Sequence, residues 1–451
     1  MSPAAGIDPF LDPPFTAGID DAVLAVVGLG YVGLPLAVAL AASGRRVIGF
    51  DIDAARVGRI AAGRDDTGEV DGCGLSAALA AGFRPASDPD ALAGAGVVIV
   101  CVPTPITGDR QPDLGPLLSA CATIGPRLRP GSVVVFESTV YPGVTEDVCG
   151  PALAAASGLV VGRDLLLGYA PERINPGDRL HRLDTIVKVV AGQTPALADA
   201  LARLYGALNG GQVHVTPSIR VAEAAKAIEN AQRDINIAFV NEIALIFERI
   251  GLSVHDVLDA ARTKWNFLDF KPGLVGGHCI GVDPYYLSHL SQVVGHEPDV
   301  ILAGRRLNDH MADELADRIA FRFREVAPDV VRPRALILGL TFKEDVPDLR
   351  NSKVPQLAAR LVRHGFTVDL HDPVADASDV ALKLGLALVD VPADMGVPMF
   401  DLVVLAVGHR AFAGLTPDDV GRMVHPQGLI ADPKGVWRHR AACFEQAYWS
   451  L

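Results

Sequence analysis

The feature that most constrains the fold is residues 23–51, where apolar runs, a glycine-rich turn and an acidic residue follow one another closely. Val23–Val27 is short, apolar and ended by glycine, which predicts a buried strand. The turn Gly28–Gly33 reads GLGYVG, the following residues to Ala42 predict a helix, and Arg46–Phe50 predicts a second strand. A strand, turn, helix and strand in this order indicate a parallel sheet covered by helices.

The glycine turn has the spacing of a dinucleotide-binding site. Gly28, Gly30 and Gly33 permit a tight turn, close approach of a pyrophosphate and contact between helix and strand, and the helix N-terminus faces the phosphates. Asp51 follows Gly33 by 18 residues, where a carboxylate accepts hydrogen bonds from both ribose hydroxyls. Because it would repel a 2′-phosphate, we predict NAD rather than NADP. A glycine turn without a chemical role is the alternative.

Composition limits the class of protein. The 451 residues suggest two or three domains, and the net charge of −13 argues against a general nucleic-acid-binding surface. The six cysteines form no CxxC pair, so we expect no disulfide framework, no metal site and a cytoplasmic location. Residues 1–20 have no basic segment of a secretory signal, and glycines and a proline divide the apolar residues 22–42. We therefore predict a flexible tail and no membrane segment.

Polar residues follow further predicted strands. Gly96–Val102, Ser132–Glu137 and Leu165–Tyr169 are apolar enough to be buried strands. Ligands of a doubly wound sheet bind at the carboxyl ends of its strands, so the residues after these strands are candidates for a binding cleft: Thr104, Ser138, Thr139, Glu172 and Arg173. Turn capping explains each hydroxyl residue as well, and a solvated surface pair explains Glu172 with Arg173.

Residues 219–249 predict one long helix, because they contain no Pro or Gly and are rich in Ala, Ile and Glu. Its polar residues recur at intervals of three or four, or multiples of these: Glu223, Lys226, Asn230, Arg233 and Asn241. Lys226 and Asn230 share one face. A solvated face explains this spacing, and a catalytic face is the alternative if it lies near the cysteine described next.

Cys279 lies in the segment KPGLVGGHCIGVDPYYL, residues 271–287, with Gly276, Gly277 and Gly281 nearby. Glycines allow positive φ and close approach of another molecule, so this thiol is a candidate nucleophile. The alternative is a buried structural cysteine. His278 is adjacent, but neighbours in an extended segment point in opposite directions, and we do not assign it as the base.

The second half repeats the first pattern after a mostly helical stretch at about 289–327. Ala335–Gly339 and Phe366–Leu370 predict strands around a helix at Ser352–His364, and Asp401–Val407 predicts another strand. This half has no GxGxxG turn. Lys343, Arg350 and Lys434 instead suggest a phosphate-bearing ligand, although each alone is more often a surface charge. We therefore predict an α/β protein with two doubly wound, Rossmann-like domains joined by the long helix.

An NAD-binding half, a ligand-binding half and a thiol suggest oxidation through a covalent adduct. A thiol adds to an aldehyde, and the thiohemiacetal gives up a second hydride to become a thioester that water hydrolyses to an acid. Lys226 or Asn230 is placed to stabilise the oxyanion. Asp283 or Glu172 is the candidate proton acceptor or water activator.

Seven motifs in order resemble the nucleotide-sugar 6-dehydrogenases, which include the UDP-glucose, GDP-mannose and UDP-N-acetylhexosamine enzymes. The motifs are GLGYVGLPLA (28–37), CVPTP (101–105), ESTVYPG (137–143), PERINPGD (171–178), EAAKAIENAQRDINIAFVNE (223–242), GGHCIGVDPYYL (276–287) and LGLTFKEDVPDLRNS (338–352). The resemblance implies oxidation of a sugar C6 alcohol to a carboxylate with two NAD per turnover, for surface polysaccharide synthesis.

The resemblance also implies roles for particular residues. Catalysis falls to Cys279 as nucleophile, Lys226 and Asn230 at the C6 oxygen, Asp283 as base, and Thr139 and Glu172 as assistants. The implied NAD contacts are Gly28, Gly30, Tyr31, Val32, Gly33, Asp51, Arg56, Thr104, Ser138, Thr139 and Arg350. The implied UDP-sugar contacts are Glu172, Arg173, Lys226, Asn230, Arg233, Phe270, Lys271, Gly273, Phe342, Lys343 and Lys434.

Domains and substrate are expected as follows. A tail (1–20) precedes an NAD-binding domain (21–218), a central helical domain (219–327) and a UDP-sugar-binding domain (328–451). PERINPGD and GGHCIGVDPYYL resemble the N-acetylhexosamine branch, which favours UDP-GlcNAc or UDP-GalNAc over UDP-N-acetylmannosamine and UDP-glucose. The resemblance further implies a homodimer through the central helix, or a higher oligomer. An inactive NAD-sensing scaffold is the alternative from a different class.

Overall fold

The computed structural model describes residues 19–173, 183–277, 280–391 and 398–451. Within these ranges the chain forms two compact units. The first contains the residues up to Glu229 together with Tyr285–Gly295, and the second contains Asn230–Pro284 together with His296–Leu451. The predicted division into a tail and three domains stays a prediction.

The first unit is built on a sheet of eight strands in the order β3-β2-β1-β4-β5-β6-β7-β8. Its strands are β1 (Leu24–Val27), β2 (Val47–Phe50), β3 (Arg84–Ala86), β4 (Val97–Val100), β5 (Ser132–Phe136), β6 (Leu165–Tyr169), β7 (Lys188–Gly192) and β8 (Val213–Val215). β1 to β6 are parallel, whereas β7 pairs antiparallel to β6, with Tyr169 opposite Ala191. The last two strands pair parallel to each other and therefore run antiparallel to the other six.

Helices cover both faces of this sheet. They are α1 (Gly33–Ala42), α2 (Ala54–Ala61), α3 (Gly72–Ala80), α4 (Gly115–Ile124), α5 (Gly150–Ser157) and α6 (Pro195–Gly206), with a π-helical segment at Val144–Cys149 before α5. Successive side chains of β1 alternate between two cores: Leu24 and Val26 pack into one, and Ala25 and Val27 into the other. Burial on both faces explains why the strands are continuously apolar.

The helices after the first sheet are α7 (Ile219–Arg249), α8 (Val254–Ala261), α9 (Asp283–Val293) and α10 (Asp299–Val326). The bounds of α7 confirm the predicted long helix, and the division between the two compact units falls inside it. The predicted helical stretch at about 289–327 is two helices, separated near Gly295, whose φ is +80°. α9 begins earlier than we predicted, so Asp283 occupies a helix N-terminus.

The second unit contains a parallel sheet in the order β10-β9-β11-β12-β13. The strands are β9 (Arg334–Leu338), β10 (Thr367–His371), β11 (Phe400–Leu405), β12 (Val424–Ala431) and β13 (Ala447–Trp449). The helices after β9 are α11 (Val354–Arg363), α12 (Ala377–Leu384), α13 (Arg410–Ala413) and α14 (Pro417–Gly421). The two mostly parallel sheets and the long helix confirm the predicted fold class.

Several boundaries differ from the sequence predictions. β4 ends at Val100 and β11 at Leu405, about two residues earlier than predicted, because the chain turns away into loops at the strand ends. Ile19, assigned to the tail, is only 1% exposed and packs into the first unit's core. Its carbonyl accepts a hydrogen bond from Arg45, so the described chain is anchored from its first residue.

Candidate active site

The glycine turn between β1 and α1 has the backbone geometry that its sequence predicts. Gly28 has φ of +93°, which side-chain-bearing residues rarely adopt. A Cβ added to Gly33 would lie 1.8 Å from the Gly28 carbonyl oxygen, so only glycine permits this contact. Val32, the residue before α1, makes no side-chain hydrogen bond to the helix N-terminus. The first amides of α1 are thus presented as in a phosphate-binding turn.

Asp51 stands at the end of β2 and is fixed by two backbone amides. Leu29 N donates to its Oδ2 at 2.8 Å and Asp53 N donates to its Oδ1 at 2.9 Å. Arg56, in the first turn of α2, donates to the Leu29 carbonyl at 3.5 Å. Glycine turn, acidic residue and arginine therefore meet in one place. The narrow turn and the oriented carboxylate fit the pyrophosphate and adenosine ribose of NAD.

The hydroxyl residues at the strand ends are drawn into the first unit. Thr104 is buried, and Ser138 donates from Oγ to the Val102 carbonyl at 2.6 Å. Tyr169 in turn donates to the Ser138 carbonyl at 3.2 Å. Ser138 therefore ties the end of β5 to the segment after β4, which supports the turn interpretation for its side chain. Thr139 is half-buried next to it.

A buried ionic cluster lies beneath the same strand ends. Lys188 Nζ, on β7, is 2.8 Å from Glu137 Oε2 and 3.6 Å from Glu172 Oε2. Tyr205, on α6, donates to Glu137 Oε1 at 2.6 Å. Burial alone lowers the pKa of Lys188, but the two carboxylates outweigh it and raise that pKa. Sequence reasoning missed Lys188, although a lysine inside the apolar run of β7 is a signal that a buried partner exists.

Arg173 is not a freely solvated side chain. Its Nη2 lies 2.7 Å from Glu229 Oε1 on α7, and its Nη1 donates to the Val187 carbonyl at 2.8 Å. The contacts of Glu172 and Arg173 therefore argue against the alternative interpretation, a solvated surface pair, and their place in a binding cleft stays a prediction. Glu172 accepts the backbone N–H of Arg173, while its second oxygen faces Lys188.

Of the five recurring polar residues of α7, all except Arg233 are buried, so a solvated face does not explain their spacing. Lys226 and Asn230 are 8% and 6% exposed, whereas Arg233 is exposed. Glu223 accepts from Gly143 N at 2.6 Å and from Thr145 N at 2.9 Å. Glu223 thus anchors the turn after β5, and burial raises its pKa.

Asn230 and Asp283 meet in the second unit. Asn230 Nδ2 donates to Asp283 Oδ2 at 2.5 Å, and the Asp283 side chain is buried at the start of α9. A helix N-terminus stabilises a carboxylate, and the amide orients it. Cys279 and His278 lie outside the described residues, four and five positions before Asp283 in the sequence.

The segment before Cys279 lies against the loop after β9. The Phe342 ring approaches within 2.8 Å of the position that a Cβ of Gly277 would occupy, and Gly277 has φ of +83°. Lys434 reaches to 3.5 Å from the corresponding position at Gly273. A cavity here is lined by Leu274, Gly276, Thr341, Phe342, Ser352, Lys353 and Lys434, among others. Three predicted substrate contacts, Gly273, Phe342 and Lys434, are thus brought together.

Other predicted contacts of the second unit have different surroundings. Lys434 pairs with Glu344, and Arg350 Nη2 lies 2.6 Å from Asp348 Oδ2. Lys343 and Phe270 are half-buried, and Lys271 is exposed. The cations predicted to hold phosphate at Lys434 and Arg350 are therefore ion-paired to carboxylates of their own unit.

Asn241 fixes the backbone of the same segment. Its Oδ1 accepts from Gly273 N at 2.8 Å and its Nδ2 donates to the Gly273 carbonyl at 3.0 Å. The amide also donates to Asn308 Oδ1 at 3.0 Å. Asn308 in turn donates to Asp234 Oδ1 at 2.8 Å, beside the buried Arg305. We define these residues, Asn241, Asn308, Asp234 and Arg305, as the clamp network.

The second unit repeats the strand, glycine and aspartate of the first. Gly339 has φ of +92° after β9, and Asp372 Oδ2 accepts from Leu340 N at 2.6 Å. Here, however, His409 Nε2 lies 3.1 Å from Asp372 Oδ2. His409 Nδ1 accepts from Asp345 N at 2.9 Å, so Nε2 carries the hydrogen that Asp372 accepts. This carboxylate is enclosed by protein groups, unlike Asp51.

These features define an NAD-dependent dehydrogenase with a second nucleotide-binding-type unit. Sequence models of the UDP-glucose/GDP-mannose dehydrogenase family match the chain at residues 22–209 (NAD binding domain), 220–310 (central domain) and 336–439 (UDP binding domain). The chain belongs to this family. The predictions of an enzyme, of NAD and of a nucleotide-sugar dehydrogenase are confirmed.

Individual relatives are similar along most of their length. The UDP-N-acetyl-D-glucosamine 6-dehydrogenase of Pseudomonas aeruginosa is 45% identical over 92% of this chain and 97% of its own. The enzyme of that name from Salmonella typhi is 44% identical over 93% and 97%. The structure of a UDP-D-ManNAc dehydrogenase from Pyrococcus horikoshii is similar with a TM-score of 0.84 at 30% identity, covering 94% of this chain and 98% of that one. No helix in the described ranges could span a membrane.

Proposed function

We propose that this protein oxidises the C6 hydroxyl of UDP-N-acetyl-D-glucosamine to the carboxylate, a four-electron reaction that uses two NAD. The substrate assignment is based on the sequence identity of 45% and 44% to two enzymes named for this sugar. The UDP-D-ManNAc dehydrogenase structure, in contrast, is 30% identical. The product, a UDP-linked uronic acid, would serve surface polysaccharide synthesis.

The reaction requires a nucleophile, an oxyanion partner and a base. Bound NAD would accept one hydride from C6 in each of the two oxidations. The Cys279 thiol adds to the aldehyde, so that an S–C bond forms and the carbonyl oxygen takes a proton. After the second oxidation the adduct is a thioester. Water then bonds to its carbon, the C–S bond breaks, and the sulfur leaves as thiolate.

The pair of Asn230 and Asp283 supports the assignment of the oxyanion partner and the base. Asn230 uses one hydrogen of Nδ2 to hold Asp283 and carries a second that can donate to the C6 oxygen. Asp283, oriented by this bond, accepts the proton of the alcohol and of the attacking water. Lys226, one helical turn before Asn230, adds a cation for the developing negative charge. Thr139 and Glu172 assist in this proposal.

Binding roles are proposed for two sets of residues. Those that hold NAD are Gly28 to Gly33, Asp51, Arg56, Thr104, Ser138 and Arg350. Those that hold the UDP-sugar are Arg173, Phe270, Lys271, Gly273, Phe342, Lys343 and Lys434. Arg233 is proposed at the N-acetyl group. The cavity beside Gly276 and Phe342 supports the second set.

The test is NADH formation by purified protein with UDP-GlcNAc, UDP-GalNAc, UDP-ManNAc and UDP-glucose. We expect the highest kcat/KM with UDP-GlcNAc, lower values with UDP-GalNAc, and two NADH per uronic acid formed. A higher kcat/KM with UDP-ManNAc or UDP-glucose would refute the substrate assignment. NAD binding without NADH formation from any of these sugars would favour the inactive scaffold.

The covalent mechanism is tested with the variant Cys279→Ser. The variant is expected to lose uronic acid formation by 10²-fold or more, because a serine hydroxyl is a far weaker nucleophile than a thiolate. Its affinity for NAD should stay unchanged. Unchanged formation of the acid by this variant would remove the thioester from the mechanism.

We also propose a cytoplasmic homodimer, or a higher oligomer, assembled through α7. Four large apolar side chains of this helix are exposed by 44–56%: Val221, Ile228, Phe239 and Ile246. Their separations of seven and eleven residues place them on one face of a helix with 3.6 residues per turn. An apolar stripe of this kind is typical of a helix that packs against a second chain. Light scattering by the purified protein measures its molar mass in solution and so tests this oligomeric state.

A further inference from the structure

The strongest feature that the proposed mechanism leaves unused is the buried cluster of Glu137, Lys188 and Tyr205. Lys188 and Glu137 are each 2% exposed, and the Lys188 ammonium lies 5.0 Å from the centre of the Tyr205 ring. Burying two charges costs several kcal/mol per ion unless they are well paired. A cluster this buried therefore requires a reason beyond stability.

The geometry of the cluster supplies that reason. Glu137 takes one bond from Lys188 and one from Tyr205, so its carboxylate is fixed on both oxygens. Lys188 is thereby held in place, with its ammonium 3.6 Å from Glu172 Oε2. The Glu172 side chain is closer to the surface than that of Lys188, because it is 11% exposed and that of Lys188 only 3%.

We propose that Lys188 is a positioning residue that holds the Glu172 carboxylate in one orientation for the dehydrogenase reaction. This inference rests on the proposed function, in which Glu172 assists catalysis. Lys188 touches no substrate and acts through Glu172. Glu137 holds the lysine in place for this contact, because the ammonium lies 2.8 Å from Glu137 Oε2 and 3.6 Å from Glu172 Oε2.

Three further titratable groups lie around Glu137, Lys188 and Glu172. Cys101 follows β4, and the charges of Glu137, Lys188 and Glu172 all influence its thiol, whose pKa burial raises. Arg173 adjoins Glu172 in sequence but directs its guanidinium to Glu229. Tyr205 contacts Glu137 from α6, and its pKa is raised by burial and by Glu137. Lys188 is a cation that directly faces both carboxylates.

The proposal predicts a loss of turnover that depends on the lysine. Glu137→Gln keeps the cation beside Glu172, so kcat should stay within about threefold of the native value. Glu137→Gln with Lys188→Met also removes the cation that orients Glu172, so kcat should fall at least about tenfold while KM for the UDP-sugar changes less. Lys188→Arg retains the charge and should keep kcat within about threefold of the native value. We choose the double substitution because Lys188→Met alone strands a buried carboxylate.

The matched control is the double substitution Glu248→Gln with Arg318→Met, which removes a half-buried ion pair in the second unit. It should lower the melting temperature without a comparable loss of kcat. NAD affinity and circular dichroism are recorded for every variant. A kcat of the Glu137→Gln, Lys188→Met variant equal to that of the native protein would overturn the proposal. Absence of NADH formation by the native protein with every UDP-sugar would instead overturn the proposed function.

Discussion

Asp51 is the residue that we propose to select the cofactor. Its two oxygens each accept one backbone amide, from Leu29 and Asp53, so the carboxylate cannot rotate away from the glycine turn. A carboxylate in this place accepts hydrogen bonds from ribose hydroxyls and repels a 2′-phosphate. The neighbouring Arg56 is a cation that would attract a 2′-phosphate if the carboxylate were removed.

Asp51→Ala is therefore expected to reduce the preference for NAD over NADP by at least tenfold. Loss of the ribose bonds weakens NAD binding, and Arg56 becomes the nearest charged group for NADP. The measurement is kcat/KM for both cofactors at saturating UDP-sugar. Asp53→Ala is the control, because Asp53 caps α2 rather than facing the glycine turn. An unchanged preference in Asp51→Ala would remove its ribose role.

At the scale of elements, a side chain of α7 fixes the backbone of the segment before Cys279. Asn241 hydrogen-bonds both the N–H and the C=O of Gly273, as a neighbouring β-strand would. Asn308, Asp234 and Arg305 of the clamp network fix the orientation of that amide. A segment without regular structure is thereby held as firmly as a strand.

Asn241→Ala should raise KM for the UDP-sugar about 5- to 100-fold, since two backbone groups of Gly273 lose partners worth about 1–3 kcal/mol. NAD affinity should not change, and kcat should fall less than KM rises. Asn236→Ala is the control on the same helix, because Asn236 bonds only within α7, to the Gln232 carbonyl. Equal effects of the two substitutions on KM would contradict the clamp.

The same elements show what sequence patterns predict. Strands such as β1 and β6 and the helix α7 were predictable because hydrophobic runs and the absence of Gly and Pro act locally. β7 was missed because Lys188 interrupts its apolar run, and its partner Glu137 is 51 residues away. The pairing of Asn230 with Asp283 over 53 residues was equally beyond local patterns. The helix spacing and the cysteine segment marked Asn230 and Asp283 as candidates, but neither pattern showed that the two side chains meet.

At the scale of the whole molecule, the two units share one arrangement of strand, glycine and aspartate, but its surroundings differ. Gly28 and Gly339 have nearly the same φ, of +93° and +92°, and each is followed by a leucine whose N–H is bound by an aspartate. In the first unit this aspartate is half-buried at the surface. In the second, Asp372 is buried and accepts from His409, Leu340 and Thr341. There the carboxylate supports the loop itself.

Asp372 should make the free energy of unfolding depend on pH in the acid range. Burial raises its pKa, but the hydrogen bonds from His409 and the backbone outweigh this and lower it. A carboxylate whose pKa is depressed on folding stabilises fully above its unfolded value of about 4, and this stability is lost as the pH falls through the folded pKa. Asp372→Asn should therefore destabilise at pH 7 by about 1–3 kcal/mol, and by less below pH 4.

Urea unfolding of the native protein and of Asp372→Asn between pH 3 and pH 7 measures this difference. Asp390→Asn, an exposed position, is the control and should be nearly neutral throughout. A gap between the native protein and Asp372→Asn that stays constant, or widens, on acidification would show that Asp372 does not supply the pH-dependent term.

The enclosure of Asp372 by His409 bears on inhibitor discovery. A compound that mimics adenosine by gripping a carboxylate beside a glycine turn would find that group accessible at Asp51, whereas at Asp372 it would have to displace an imidazole. Titration of such a compound should accordingly saturate at one equivalent per chain. The compound would then bind the first unit in preference to the second without further chemical changes.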